Sequence, residues 1–368
     1  MTIPRSSSKL ETKDSEEADK NSVPLIPGLP DHIVELCLLR VPYPEQPLVR
    51  SVCSSWKRFI TDPTFLVTKN ALSLSLPYVF VSAFHKSTAR IQWQALDPRS
   101  GRWFVLPPMP ECPPGFVCVS LPRQGKLFVL GGVGSDTESS TQSTIMYRSS
   151  TNQWSVLSPM LTPRSCFAAG SINGKIITVG GGGTSSTGAI TAVESYDPEG
   201  DTWTPVANMD TCLKRYDSAV VGNKMYVTEG WTWPVRFSPR GGVYDPDCDT
   251  WRDASQAMRE GWTGLSVVLG DRLFVISEYG DCPLKVYDPD CDTWRYVGGQ
   301  KFPREEMNKP LAVNGVDGKI CVVSFGLKVA LGKVGEVGNG DFKVEWEIVD
   351  GPEAFRDFSA LNCQVLYA

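Results

Sequence analysis

The sequence predicts a multidomain chain: a small helical unit, then an all-β propeller of six blades closed by the C-terminal strand. Three observations carry this. A phrase ending in tryptophan recurs six times, at Trp103, Trp154, Trp203, Trp251, Trp294 and Trp346, spaced by 51, 49, 48, 43 and 52 residues. Self-similarity at a period near 50 marks a radially repeated architecture. Glycine (33) and proline (28) supply one residue in six, above the usual share of about 12%, so turns are many and strands short. Ahead of the repeats, apolar residues recur at intervals of three and four, the spacing of an amphipathic helix.

Residues 1–21 mix acidic, basic, Ser and Thr side chains with almost no apolar ones. Such a segment cannot bury enough surface to offset its ordering entropy, so a disordered tail is expected. The helical unit is placed at 22–68. Ile33, Leu36 and Leu39 predict one short helix with Asp31 as N-cap. Val49, Val52, Cys53, Trp56 and Ile60 predict a second, with Pro42, Pro44 and Pro47 breaking the chain between them.

The propeller is placed at 72–368, with blades near 72–109, 113–160, 163–210, 214–258, 262–298 and 310–350. Each tryptophan ends a turn phrase of constant length: LDPRSGRW, YRSSTNQW, YDPEGDTW and twice YDPDCDTW. Upstream of each later repeat lies a hairpin phrase, QGKLFVLGG, NGKIITVGG, GNKMYVTEG, GDRLFVISE or DGKICVVSF. Together they predict four antiparallel strands per repeat. The pairs Gly131-Gly132 and Gly180-Gly181 are expected to allow close backbone approach near the central axis, and the tyrosines and tryptophans to fill the space between blades. Blade one opens at PYVFVSAF with no hairpin phrase before it, whereas the chain ends in an apolar strand with no blade after it. Residues 358–367 are therefore expected to pair with 78–84 and close the ring, removing exposed sheet edges.

LPDHIVELCLLRVP followed by VRSVCSSWKRFITDPTFL resembles the F-box motif, with Leu29-Pro30 opening it. The blades resemble kelch repeats, a Gly-Gly pair, then a Tyr, then a Trp. The order of the two resembles the F-box/kelch-repeat proteins numerous in plants. The resemblance implies an adaptor role: the F-box binds the Skp adaptor of a Skp–cullin–F-box ubiquitin ligase, and through it a cullin, and the propeller recruits a protein substrate. By motif position it implies adaptor contacts at Leu29, Pro30, Ile33, Leu38, Val49, Val52, Cys53 and Trp56, although some of these are equally explained as the F-box's own small core. A kelch scaffold that binds a partner without ligase assembly is the alternative.

For the substrate face the resemblance places two sets of loops together, those after the glycine-ended strands and those linking blades. The loop GWTWPVRFSPRGG offers Trp231, Trp233 and Arg236 outside any core periodicity, and aromatics and arginine are frequent interface anchors. Arg164, Arg215, Arg259, Trp262 and Arg304 stand near the starts of successive blades. A ring of arginines would favour an acidic or phosphorylated segment. The structural alternative pairs each arginine with a local carboxylate such as Asp217, Glu260 or Glu305.

Other chemistries are disfavoured. A formal charge of −5, from 36 basic and 41 acidic residues, argues against nucleic acid, which needs a basic surface. Two histidines, His32 and His85, cannot supply most metal sites, so neither metal nor cofactor is expected. VGGGGTSSTG matches no phosphate-loop pattern, and no catalytic constellation emerges. Eleven cysteines without a CxxC pair suggest reduced, small buried hydrophobes. No apolar leader and no run of eighteen apolar residues is seen, so neither a signal peptide nor a membrane span is expected. The expected location is cytoplasm or nucleus.

Overall fold

The computed structural model describes residues 24–111, 113–134, 139–182, 190–211, 213, 217–229, 238–338 and 340–368. The expected tail, 1–21, lies outside them. The chain divides into two compact units between Leu74 and Ser75.

The first unit is helical: α1 (Asp31–Leu39), α2 (Gln46–Arg50), α3 (Ser54–Thr61) and α4 (Pro63–Ala71). Asp31 does not cap α1. Pro30 occupies the cap position, and the Asp31 carboxylate accepts from the Leu25 N–H at 2.9 Å. The expected second helix is split in two because Cys53 takes an extended backbone (φ −157°, ψ 167°), its Sγ accepting from the Trp56 N–H. Pro47 stands in the first turn of α2 rather than between helices, where a missing N–H costs nothing. Helix α4 went unread, although Asp62-Pro63 is a start signal: Asp62 accepts from the Thr64 N–H at 2.8 Å and Pro63 opens the helix. Leu39, Ile60 and Phe65 form the core, with Val49, Phe59 and Leu74 against it.

The second unit is the expected six-bladed propeller, with sheets β4-β5-β6-β7, β8-β9-β10-β11, β12-β13-β14-β15 and β16-β17-β18-β19 in blades two to five. Their strands are β4 (Val117–Leu121), β5 (Lys126–Leu130), β6 (Thr144–Arg148), β7 (Gln153–Val156), β8 (Ala168–Ile172), β9 (Lys175–Val179), β10 (Val193–Asp197), β11 (Thr202–Val206), β12 (Asp217–Val221), β13 (Lys224–Thr228), β14 (Gly241–Asp245), β15 (Thr250–Asp253), β16 (Gly264–Leu269), β17 (Arg272–Ser277), β18 (Leu284–Asp288) and β19 (Thr293–Tyr296). Blade six holds β21 (Ala312–Val316), β22 (Lys319–Val323), β23 (Val329–Gly338) and β24 (Asp341–Val349), and the linker strand β20 (Gly298–Gly299) joins its outer edge in parallel.

Blade one contains β1 (Pro77–His85), β2 (Arg90–Asp97) and β3 (Arg102–Val105), and its inner strand is the C-terminal β25 (Phe358–Tyr367). The closing pair runs from Pro77↔Tyr367 to His85↔Phe358 with one register shift. The inner strands then neighbour one another in a complete ring, β25, β4, β8, β12, β16, β21 and back to β25.

Neighbouring blades are stapled by the turn phrase. In YDPEGDTW, Asp201 sits at φ +47°, a left-handed position Asp tolerates. It accepts from the Tyr196 hydroxyl at 2.7 Å and from the N–H of Ser158 in the preceding linker at 3.1 Å. Trp203 Nε1 donates to the Ser158 carbonyl at 3.0 Å. Asp249 and Asp292 repeat the tyrosine bond, as Asn152 does in blade two, and Trp154, Trp251 and Trp294 each donate to the linker before their blade. Blades one and six lack the Tyr…Asp pair. There Trp103 and Trp346 rest edge-on against Phe355 and Phe302, their Nε1 atoms without a hydrogen-bond partner. The closure is held instead by apolar packing of Val79, Val81 and Leu96 with Cys321, Val323, Cys363 and Val365.

The glycine pairs serve a different approach from the one expected. A Cβ on Gly131 would lie 2.3 Å from the Arg164 carbonyl, and one on Gly181 2.8 Å from Phe167. The close approach is to the linker between blades two and three, not to the axis.

Candidate functional site

In the helical unit, α1 separates its residues by face. Val34, Leu38 and Leu39 are buried, whereas Ile33 and Leu36, one turn apart, are 38% and 37% exposed. Leu29 and Pro30 precede them, both exposed; Leu48 on α2 and Val52 after it are 69% and 61% exposed. Cys53 is also exposed. With Val67 and Leu72 on and after α4, seven large aliphatic side chains are left in water among the described residues of so small a unit, and the five from Leu29 to Val52 mark a candidate interaction surface. Of the positions named from the motif, Leu29, Pro30, Ile33, Val52 and Cys53 are thus accessible. Leu38 is a correction: it is 4% exposed and belongs to the unit's interior, because the helical period turns it away from Ile33. Val49 packs on the core, and Trp56 is half-buried with Nε1 on the Leu25 carbonyl at 3.0 Å. Leu36 and Leu48 were missed. Leu36 lies three residues after Ile33, a spacing that shares its face.

In the propeller, strands alternate in direction, so the loop after each second strand and the linker after each fourth emerge at the same end. Residues 212, 214–216 and 230–237 are outside the described residues, and with them Arg215, Trp231, Trp233 and Arg236.

The other positions fall at this end but divide sharply. Arg164 is fully buried. Its Nη2 donates to Glu194 Oε1 at 2.6 Å, and Nη1 to the Gly180 and Ala192 carbonyls at 2.9 and 3.0 Å. It is a structural clamp rather than a surface arginine: the Glu194 carboxylate and two carbonyls offset the desolvation of both charges, while its Nε has no hydrogen-bond partner. Trp262 is likewise interior, 3% exposed, with Nε1 donating to Asp217 Oδ2 at 2.9 Å. Burial pushes the Asp217 carboxyl above the usual carboxylate range, against the Ser266, Trp262 and Ser218 hydrogen bonds that favour its charged form.

Arg259 is half-buried and bonds the Pro239 and Ser255 carbonyls at 2.7 and 3.3 Å. Arg304 is exposed and donates to the Gly280 carbonyl at 2.8 Å. None of these arginines is paired with Asp217, Glu260 or Glu305: Arg164 takes Glu194, and the other two take carbonyls.

Three features went unread. The axis holds a cavity of about 560 Å³ lined by the inner strands, among them Ser120, Asp217, Ser266, Asn314 and Gln364. A groove of about 750 Å³ opens at the loop end of blade five, lined by Tyr279, Lys285, Tyr296 and Lys301. Cys166, Cys248 and Cys291 are exposed, like Cys37 and Cys53, so the expectation of buried cysteines holds for Cys118, Cys282, Cys321 and Cys363. YDPDCDTW places Cys248 and Cys291 in the turn before the outer strand, where no core reaches them. Among the described residues no group of three or more His, Cys, Asp and Glu is arranged to hold a metal ion, and no helix is long and apolar enough to cross a membrane.

Comparison with known proteins agrees with this division. The F-box domain family matches residues 26–68, and the Kelch motif family matches 120–161 and 163–210. F-box protein AFR of Arabidopsis thaliana is 56% identical over 96% of this chain and 95% of its own length. F-box/kelch-repeat protein At1g30090 of the same plant is 42% identical, covering 94% and 87%, and F-box/kelch-repeat protein At1g67480 is 28% identical, covering 69% and 67%.

Proposed function

This chain belongs to the F-box/kelch-repeat family, and on that premise we propose that it is a non-catalytic substrate receptor of a Skp–cullin–F-box ubiquitin ligase. In this reading the helical unit docks a Skp-family adaptor, and through it a cullin, and the loop end of the propeller recruits a protein for ubiquitination and degradation in the cytoplasm or nucleus. The single observation that carries it is the aliphatic surface of the helical unit. Leu29, Ile33, Leu36, Leu48 and Val52 are 37–69% exposed while Leu39, Ile60 and Phe65 already complete a core beneath them. A surface of this kind is suited to packing against a partner's helices.

The test is co-purification of the full chain with a Skp-family adaptor. Wild type captures it, and Leu29→Ala/Pro30→Ala or Leu48→Asp reduces capture at least tenfold, a loss of about 1.4 kcal/mol of binding. These residues are exposed, so the melting temperature stays within a degree or two. Failure of wild type to capture the adaptor, or capture indifferent to both variants, leaves the chain as a kelch scaffold acting without a ligase.

A further inference from the structure

The position two residues before the repeat tyrosine points into the seam between blades, and the four blades that keep that tyrosine fill it differently: Ile145, Glu194, Gly242 and Lys285. In blade three the charge of Glu194 is neutralised by Arg164. Blade five reverses the charge and omits the partner. Lys285 is 9% exposed, and its Nζ donates to the Gly261 carbonyl at 2.6 Å and the Thr263 hydroxyl at 2.9 Å. It stands 5.5 Å from the centre of the Trp294 ring. All three partners are neutral. Among the described residues no carboxylate pairs with Lys285, and burial alone draws its pKa below the ordinary lysine range. A buried ammonium without a counter-charge is costly, and one of its three N–H bonds is left for a further acceptor.

Lys285 also lines the 750 Å³ groove at the loop end. Tyr296, its direct cross-strand neighbour, is 74% exposed, and Tyr279 on the facing loop is 52% exposed. The groove's lining contains one carboxylate, Asp281, and that is bonded to Lys301 at 2.7 Å. Together with Arg304 on the Gly280 carbonyl, this pair ties the Tyr279 loop to the linker, so both walls are held in place. The site therefore joins a buried uncompensated cation to two exposed aromatic rings.

We propose that this groove binds an acidic segment of the recruited protein, an Asp or Glu carboxylate serving as the counter-ion of Lys285 while adjacent side chains pack on Tyr279 and Tyr296. The inference rests on the receptor reading and names the class of segment received. A carboxylate bonded to an ammonium away from water makes a stronger hydrogen bond than a neutral pair, and tyrosines are favoured interface anchors.

The experiment offers immobilised full-length chain an equal mixture of two nonapeptide libraries, one with a fixed central Glu and the other with a central Gln, both with randomised flanks. Mass spectrometry reads the captured ratio. Wild type enriches the Glu library about tenfold, the discrimination expected for one charge-assisted hydrogen bond. Lys285→Met brings the ratio to about one, and Tyr296→Ala, at a freely exposed position, lowers capture of both libraries. A wild-type ratio near one, or a ratio unchanged in Lys285→Met, overturns the proposal. Adaptor co-purification is run on the same proteins: peptide discrimination lost with adaptor capture intact defeats this inference alone, whereas a wild type without adaptor capture defeats the receptor reading.

Discussion

Replacing Arg164 by methionine tests whether a buried ion pair, rather than a surface arginine, occupies the start of blade three. Arg164 is completely buried and Glu194 is 2% exposed. The substitution removes the Nη2 bond to Glu194 and both Nη1 bonds to the Gly180 and Ala192 carbonyls. Glu194 then keeps only the Leu161 N–H on Oε2, at 2.9 Å. Stranding one member of a buried pair costs about 3–5 kcal/mol, and at roughly 2–4 °C per kcal/mol the melting temperature falls by about 6 °C or more. Arg164→Met/Glu194→Gln removes the stranded charge while Gln still accepts from Leu161, so it recovers about 2 kcal/mol of the loss. Urea denaturation of wild type, both single variants and the double variant closes the cycle. The double variant, once folded, captures whatever partner wild type captures. Arg164→Met costing under about 1 kcal/mol, or strictly additive single effects, would refute the clamp; a stable Arg164→Met chain that loses its partner would return this residue to the binding surface.

Two further outcomes follow from the staples between blades. Trp203→Phe loses the Nε1 bond to the Ser158 carbonyl, whereas Trp103→Phe loses none, its Nε1 having no partner; thermal denaturation therefore shows the first to be about 1 kcal/mol more costly than the second, and equal costs would mean that the indole bond contributes nothing. The Tyr196 hydroxyl, helped by Ser158, holds the Asp201 carboxyl below the usual carboxylate range. Its stabilisation is therefore complete above the ordinary carboxylate value of about 4 and is lost as pH falls below it. Asp201→Asn, which leaves the Oδ1 acceptor that Asn152 provides in blade two, costs about 1 kcal/mol at pH 7 through loss of the Oδ2 acceptor of the Ser158 hydroxyl. It then loses less stability than wild type between pH 4 and 2.5, and an unchanged acid slope in melting temperature argues against this role.

How far the sequence can be read depends on whether a residue's role is periodic. Tyr196, Asp201 and Trp203 act within one repeat and against the linker just before it, so their spacing is visible in the chain. The closing strand was legible for a related reason: a blade without a first strand and a strand without a blade can satisfy their edges only with each other. Ile33 and Leu38 were both named by their place in the F-box motif, and only the packing of α1 on its neighbours shows that Ile33 stays accessible while Leu38 faces inward. Arg164 and Trp262 were misjudged because their burial depends on strands distant in number, β10 of the same blade for Arg164 and β12 of the blade before for Trp262. Glu194 lies thirty residues further on, and nothing local to Arg164 announces it. The groove at Lys285 was invisible for the same reason: its chemistry is the absence of a partner, and an absence is defined only once every neighbour is in place.

The sequence by itself thus determined the two units, the blade count, the spacing of the turn phrase and the closure, because these follow from hydrophobic period and repeat length. Only the tertiary structure decided which arginines are clamps, which leucines face outward and where a cation stands uncompensated. Those are properties of burial and of charge at a distance, and burial is set by parts of the chain far away in number.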